Sequence, residues 1–128
     1  MELHDWIIFS WIALPTVMFG GASLLRLVER GNVLTPAQVT SFRAGHAHAG
    51  VLLLMSLLYY ICMSQTGLFP PAKYAGCTLL VLGILMQSGG FFIRVAPAYG
   101  RLGTRVTLTG AVLLASAIVI LVYGLVQA

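Results

Sequence analysis

The chain has 128 residues, of which 59% are hydrophobic and 8% are charged, and its mean hydropathy is +0.98. A soluble domain carries roughly 25% charged residues, so a water-facing surface cannot be made from so few charged side chains. The net charge of +4 comes from basic residues that lie between apolar segments. This placement is typical of the cytoplasmic loops of membrane proteins and not of a nucleic-acid-binding domain. The composition therefore predicts a multi-pass membrane protein that binds no nucleic acid.

Four apolar segments follow one another along the chain, each near the ~20 residues that cross the hydrocarbon core as a helix. They cover residues 6–27, 44–63, 74–93 and 106–126. Backbone groups in lipid must bond within their own segment, so the predicted fold class is all-α. Short connections predict one domain over residues 1–128, an antiparallel bundle of four transmembrane helices. The first five residues are acidic where a signal peptide is basic, so no cleavable signal peptide is expected.

Local signals predict where some of these helices begin and end. Residues 35–38 (T-P-A-Q) combine an N-cap, a proline at the first helical position and a capping box, so the second helix should begin before its spanning part. Gly31–Asn32 is expected to end the first helix. A turn is expected over residues 67–71, which contain a glycine and two prolines, and a loop over residues 97–105.

The arginines predict the orientation in the membrane. The connections after the first and third segments carry six arginines, whereas the connection between the second and third carries only Lys73. By the positive-inside rule, the arginine-rich connections face the cytoplasm, so both termini lie outside it, in a plasma-membrane protein. The six residues are Arg26, Arg30, Arg43, Arg94, Arg101 and Arg105.

Polar side chains reach one common depth, on the predicted cytoplasmic side. His46 and His48 follow Arg43 by three and five residues, and Gln87 precedes Arg94 by seven. Polar and ionisable groups inside a membrane segment are expensive and are therefore candidates for a functional site. If the chain has such a site, we expect it in this half of the membrane.

Helix geometry separates the two histidines. Residues two apart on a helix differ by about 200° in direction, so His46 and His48 should point to nearly opposite faces. They cannot share one zinc ion, and this depth offers no carboxylate or cysteine to complete a tetrahedral site. Cys62 and Cys77 lie near the outer ends of their helices, where we expect two buried thiols, with a disulfide as the alternative.

The stretch G-H-A-H-A-G at residues 45–50, followed by Tyr59 and Tyr60, resembles a helix of heme-copper oxidases and nitric oxide reductases. In that family the H-x-H pair of this helix serves two hemes on opposite faces. The resemblance implies that His46 and His48 are axial heme ligands. The family's core subunit has many more spans and carries copper ligands that this chain lacks, so the resemblance implies heme ligation without oxidase catalysis.

A heme needs further contacts. Its second axial ligand would be a methionine, or the equivalent histidine of a second protomer. Polar and charged side chains at the same depth are candidates for contacts with the rest of the cofactor. These candidate residues are Met18 and Met86 as ligands, with Gln87, Arg43 and Arg94 as the other contacts.

The sequence favours a small membrane subunit without independent catalysis, in a larger, respiratory assembly, with heme bound through His46 and His48. Its partners would be membrane lipids and either other membrane subunits or further copies of the chain. The four segments contain no aspartate or glutamate, which argues against an enzyme. Two alternatives stay open. The histidines could be structural residues bonded to neighbouring groups, or His46, His48 and Gln87 could line the route of an oligomeric proton or small-solute transporter.

Overall fold

The computed structural model describes residues 3–31 and 34–128. Asn32, half of the predicted end of the first helix, lies outside the described residues, as do Met1, Glu2 and Val33. Four long helices follow in order: α1 (Leu3–Glu29), α2 (Pro36–Gln65), α3 (Pro70–Ile93) and α4 (Gly100–Val126). All four are long and apolar enough to cross a membrane, which confirms an all-α chain with four membrane-compatible helices.

The start of α2 follows the sequence prediction. Thr35 Oγ1 accepts a hydrogen bond from the Gln38 amide at 3.3 Å, and Gln38 Oε1 accepts one from the Thr35 amide at 2.8 Å. This capping box satisfies two donors that the first turn would otherwise leave unpaired. Gln38 Nε2 also donates to the Val95 carbonyl at 2.9 Å, which ties the start of α2 to the connection after α3. At the end of α1, Gly31 has a φ of 62°, the left-handed conformation that glycine adopts readily.

Two connections are shorter than the sequence suggested. Pro70 and Pro71 begin α3 instead of forming a turn, because a first helical turn needs no amide hydrogen from its proline. Residues 97–105, expected as a loop, form a 3₁₀ turn at Pro97–Tyr99 and then the start of α4. The helix extends this far because Gly103 has no side chain, so α4 can touch the backbone of α3 there.

Consecutive helices run in opposite directions. At each interface, contacts made by residues further along one helix are to residues closer to the start of the other helix, as expected for antiparallel neighbours. The close approaches are Val17 to Gly50 and Gly21 to His46 (α1 and α2), Gly45 to Ser88 and Met63 to Gly76 (α2 and α3), and Gly83 to Leu114 and Gly90 to Gly103 (α3 and α4). α2 packs against both α1 and α3, whereas α1 packs mainly against α2 alone.

The tightest interface joins α3 and α4, and small residues spaced seven apart form it. A Cβ atom placed on Gly90 would lie 2.6 Å from the Gly103 carbonyl oxygen, so the two backbones are in direct contact. A seven-residue repeat keeps the same face of each helix turned toward its neighbour. The buried small residues are Gly76, Gly83 and Gly90 on α3, with Gly103, Gly110, Ala117 and Gly124 on α4.

The largest buried side chains lie toward the other end of the molecule, in a core to which all four helices contribute. Tyr59 and Tyr60 are buried there, and the Tyr59 hydroxyl donates to the Ala117 carbonyl of α4 at 2.9 Å. Both cysteines are free thiols, with Cys77 buried and Cys62 half-buried. The core thus joins α2 to α3 and α4 and packs against the first half of α1.

All six arginines lie at one end of the molecule, which we call the arginine end. α1 and α3 finish there, and α2 and α4 begin there. Lys73 lies at the opposite end, where its ammonium group donates to the Thr66 carbonyl at 2.8 Å. The six guanidinium groups are exposed, and none has a hydrogen-bond or ion-pair partner among residues 3–31 and 34–128.

Candidate functional site

His46 lies where α2 crosses the glycine pair of α1. A Cβ atom on Gly21 would be 2.8 Å from His46 Nε2, and one on Gly20 would be 3.9 Å from Nδ1. The imidazole therefore fills the space that a side chain at position 21 would need. The ring is half-buried and makes no hydrogen bond to any described residue.

His48 contacts the other neighbouring helix, α3. Its ring centroid is 4.8 Å from that of Phe91, at an interplanar angle of 34°. Its Nδ1 lies 2.7 Å from the Ala44 carbonyl oxygen. Because a carbonyl oxygen only accepts, Nδ1 must carry a proton, so the neutral ring keeps the lone pair of Nε2 available. Metal-binding histidines are commonly oriented by such a bond from the second ring nitrogen.

The predicted opposite orientation of the two rings is therefore observed. His46 contacts α1, and His48 contacts α3. The rotation of about 100° per residue explains this, since two residues place the second side chain about 200° around the helix from the first. The two imidazoles therefore lie at different helix interfaces.

A shallow apolar groove lies beside His48 on the outside of the molecule. It has a volume of about 210 Å³ and is lined by Ala47, His48, Val51 and Leu52. Val51 is 58% exposed, so this side of α2 is open to the surroundings of the four helices. A molecule could approach His48 from here without displacing a helix.

The structure places Gln87 at a third interface. A Cβ atom on Gly110 of α4 would lie 2.9 Å from Gln87 Cβ, so this part of α3 faces α4. His46, His48 and Gln87 thus face α1, α3 and α4 respectively. The contacts do not bring the three side chains to one common route through the chain.

The two candidate methionine ligands lie on the helices on either side of α2. Met18 is 69% exposed on α1, the helix that contacts His46. Met86 is half-buried on α3, five residues before Phe91 and so about 140° around the helix from it. Met86 therefore points away from the side of α3 that contacts His48.

Arg43 and Arg94 are exposed at the arginine end, above the level of both histidines. The stem of Arg94 crosses Gly103, where a Cβ atom would lie 2.5 Å from Arg94 Cγ. Within the described ranges, no three His, Cys, Asp or Glu side chains lie together as a metal site would require. A metal at His48 would therefore take its remaining ligands from a cofactor or from another chain.

The side chains that could take part in chemistry are thus the oriented imidazole of His48, beside an open groove, and the unpaired arginines at the arginine end. No family model matches the sequence, and no curated protein or solved structure was found to be similar to it.

Proposed function

We propose that the protein is a small, non-catalytic subunit of a larger respiratory membrane assembly and that it ligates a heme through His48. One observation carries the ligand assignment: Nδ1 of His48 is held by the Ala44 carbonyl, and Nε2 is left available beside a groove that opens outward. A neutral imidazole with a fixed ring plane is the form that coordinates heme iron.

His46 has a packing role in this proposal. The family resemblance implied a ligand role for both histidines, but the contacts favour only one. The Nε2 edge of His46 packs against Gly21, where a Cβ atom would lie 2.8 Å from Nε2. His46 therefore packs α1 against α2, close to the proposed ligand residue His48 but not part of the heme site.

A heme bound at His48 would need a further ligand from outside this chain. The groove beside His48 is shallow, so a heme placed there would have its opposite face uncovered. His48 of a second protomer, or a side chain of another subunit, would complete the coordination. This requirement supports a role inside an assembly rather than as an isolated monomer.

The proposed topology follows from the charges. The arginine end lies in the cytoplasm, and both termini lie on the outer side of the plasma membrane. The six arginines at one end and the single Lys73 at the other support this orientation. His48 then lies in the cytoplasmic half of the membrane, within a few residues of the interface.

Absorption spectra of the oxidised and reduced protein test the heme assignment. The chain is produced with added heme precursor and purified in mild detergent. We expect a Soret band in the wild type and in His46→Ala, and loss of the band in His48→Ala. Added imidazole should restore the band in His48→Ala, since it replaces the missing ligand. A colourless wild type, or a band that survives His48→Ala, contradicts the assignment.

Native gel electrophoresis tests the subunit role separately. Membranes that contain the tagged chain at its natural level are solubilised under mild conditions. The chain should migrate in a complex larger than its own dimer and copurify with redox-active subunits. Migration only as a monomer or as a homo-oligomer would rule out the larger assembly and leave the heme assignment to the spectra.

A further inference from the structure

A pocket lies at the end of the molecule opposite the arginines, between the start of α1 and the start of α3. Its volume is about 170 Å³, and we call it the lysine pocket. Its walls are mostly apolar, with an ammonium group and a phenol as the polar groups. The lining residues are Leu3 of α1, Leu68 of the connection between α2 and α3, and Pro70, Lys73 and Tyr74 of α3. The lysine pocket shares no residue with the groove beside His48.

The ammonium group of Lys73 is held in place but keeps its charge available. It donates one hydrogen to the Thr66 carbonyl at 2.8 Å, which fixes the side chain beside the pocket. Two of its three hydrogens are left, and no ion pair joins Lys73 to a carboxylate within residues 3–31 and 34–128. The side chain is half-buried. Lys73 can therefore bind an anion without breaking a contact within the described part of the chain.

Tyr74 brings a second donor to the pocket. It follows Lys73 directly and is 38% exposed, and its hydroxyl makes no hydrogen bond to a described residue. An ammonium group can only donate and a phenol can donate, so the ligand atoms that fit here are oxygen acceptors, best as an anion. The leucine and proline walls give an apolar surface that a free inorganic anion does not use. The combination suits an oxygen anion attached to a hydrocarbon body.

The distance along α3 places the lysine pocket at the level of lipid headgroups. Lys73 precedes Arg94, the C-cap of this helix at the arginine end, by 21 residues. At 1.5 Å per residue this is about 31 Å, close to the ~30 Å thickness of the hydrocarbon core. When Arg94 lies at the headgroups of one leaflet, Lys73 therefore lies at the headgroups of the other. The oxygen anions of that layer are the phosphate groups of phospholipids, which carry acyl chains.

We propose that the lysine pocket binds one phospholipid of the leaflet opposite the arginine end, with its phosphate on Lys73 and Tyr74. Lysine binds phosphate as a point charge, and the tyrosine hydroxyl adds a directed hydrogen bond. The glycerol region and the first part of an acyl chain cover the apolar walls. The bound lipid connects the start of α1 to the start of α3, whereas α1 otherwise packs mainly against α2. The site is separate from His48 and does not require the proposed heme.

Nitrogen–phosphorus NMR in bilayers of phosphatidylcholine tests the phosphate contact. Lys73 is the only lysine of the chain, so labelling with ¹⁵Nζ-lysine gives a single ammonium signal. We expect phosphorus to dephase this signal at a separation of about 4 Å, which a charge-assisted hydrogen bond to a phosphate oxygen gives. Tyr74→Phe should weaken the dephasing. Tyr123→Phe, which changes an exposed tyrosine outside the pocket, is the matched control and should leave it unchanged.

A variant that fills the pocket separates a bound lipid from a lysine that only contacts passing headgroups. Leu3→Trp fills the pocket from α1 and leaves Lys73 in place. Ile8→Trp changes an exposed residue of α1 outside the pocket and is the matched control. We expect the dephasing to be lost in Leu3→Trp and kept in Ile8→Trp. No dephasing in the wild type, or equal dephasing in these two variants, overturns the proposal.

Lipid binding in a maltoside detergent, which contains no phosphorus, tests the chemical class of the ligand. Native mass spectrometry measures the fraction of the protein that carries one phosphatidylcholine. Lys73→Gln should lower the binding constant about fivefold, the factor to which about 1 kcal/mol for one basic residue corresponds. Arg105→Gln, at the arginine end, is the control. Equal binding of a galactolipid with the same acyl chains, or displacement of phosphatidylcholine by inorganic phosphate, overturns the phospholipid assignment.

Discussion

The imidazole of His46 fits against α1 because residue 21 is a glycine. The ring is half-buried and has no hydrogen-bond partner among the described residues, so packing holds it in place. A Cβ atom on residue 21 would lie 2.8 Å from its Nε2, too close unless the ring shifts. His48 satisfies one nitrogen on its own helix and keeps the other available. Two residues of the same type, two positions apart, therefore have different chemistry.

Substitution of Gly21 by alanine tests the packing role of His46. The added methyl group would overlap the outer edge of the imidazole, so the His46 side chain must shift. A side chain can shift more easily than backbone, so we expect a loss at the low end of the overpacking range, about 1 kcal/mol of stability. Unfolding in mixed micelles gives the free energy of unfolding. Combining Gly21→Ala with His46→Ala should recover most of the loss, because the second change removes the clash.

Gly20 supplies the matched control, one residue away at the same depth. A Cβ atom there would be 3.9 Å from His46, an ordinary contact distance. Gly20→Ala should keep or raise the stability, since alanine favours a helix by up to ~1 kcal/mol over glycine. Equal effects of the two alanine substitutions would show that His46 does not pack as described.

At the scale of the helices, the contact between α3 and α4 depends on where backbones touch. Gly90 meets the Gly103 carbonyl, whereas no atom of another described helix lies within 4 Å of a Cβ position on Gly89. Backbone cannot rotate aside as a flexible side chain can. The two neighbouring glycines therefore have very different tolerance for a methyl group.

Gly90→Ala should push α4 away from α3 and cost about 3 kcal/mol, the upper part of the range for overpacking. Gly89→Ala should be neutral or slightly stabilising. The two variants are compared by unfolding in detergent and by the melting temperature of the protein in nanodiscs. A similar melting temperature for both would contradict direct backbone contact at Gly90.

The elements differ in how far the sequence could predict them. The start of α2 was predictable because its capping box involves residues three apart in the chain. The opposite orientations of His46 and His48 followed from helix rotation alone. The start of α4 was missed, because Gly100 and Gly103 suggest a loop, and only the position of α3 shows that Gly103 packs against it.

The features that the sequence could not predict depend on contacts between helices. The small residues seven apart on α4 were visible in the sequence, and their period alone could have marked α4 as a close-packing helix. No local signal shows which helix lies opposite His46, nor that Gln87 faces α4 instead of the histidines. The groove and the lysine pocket depend on the positions of several helices at once, so sequence reasoning could not find them.

For the whole molecule, the antiparallel packing gathers six arginines at one end and leaves Lys73 at the other. Charges distributed in this way set the orientation during insertion. Reporter fusions measure it directly. Alkaline phosphatase fused after Ala128 should be active, and a fluorescent protein fused there should be dark. Fusions within residues 94–99 should give the reverse pattern. A fluorescent fusion after Ala128 would show that the orientation is inverted.

The central claim is that His48 presents an available Nε2 while its Nδ1 is held by the Ala44 carbonyl. Nitrogen NMR of the protein labelled with ¹⁵N-histidine, in bilayers, tests this most directly, with His46→Ala and His48→Ala for assignment. We expect a protonated Nδ1 and an unprotonated or metal-bound Nε2 at His48. A proton on Nε2 of His48, in a neutral ring or an imidazolium, would contradict the account.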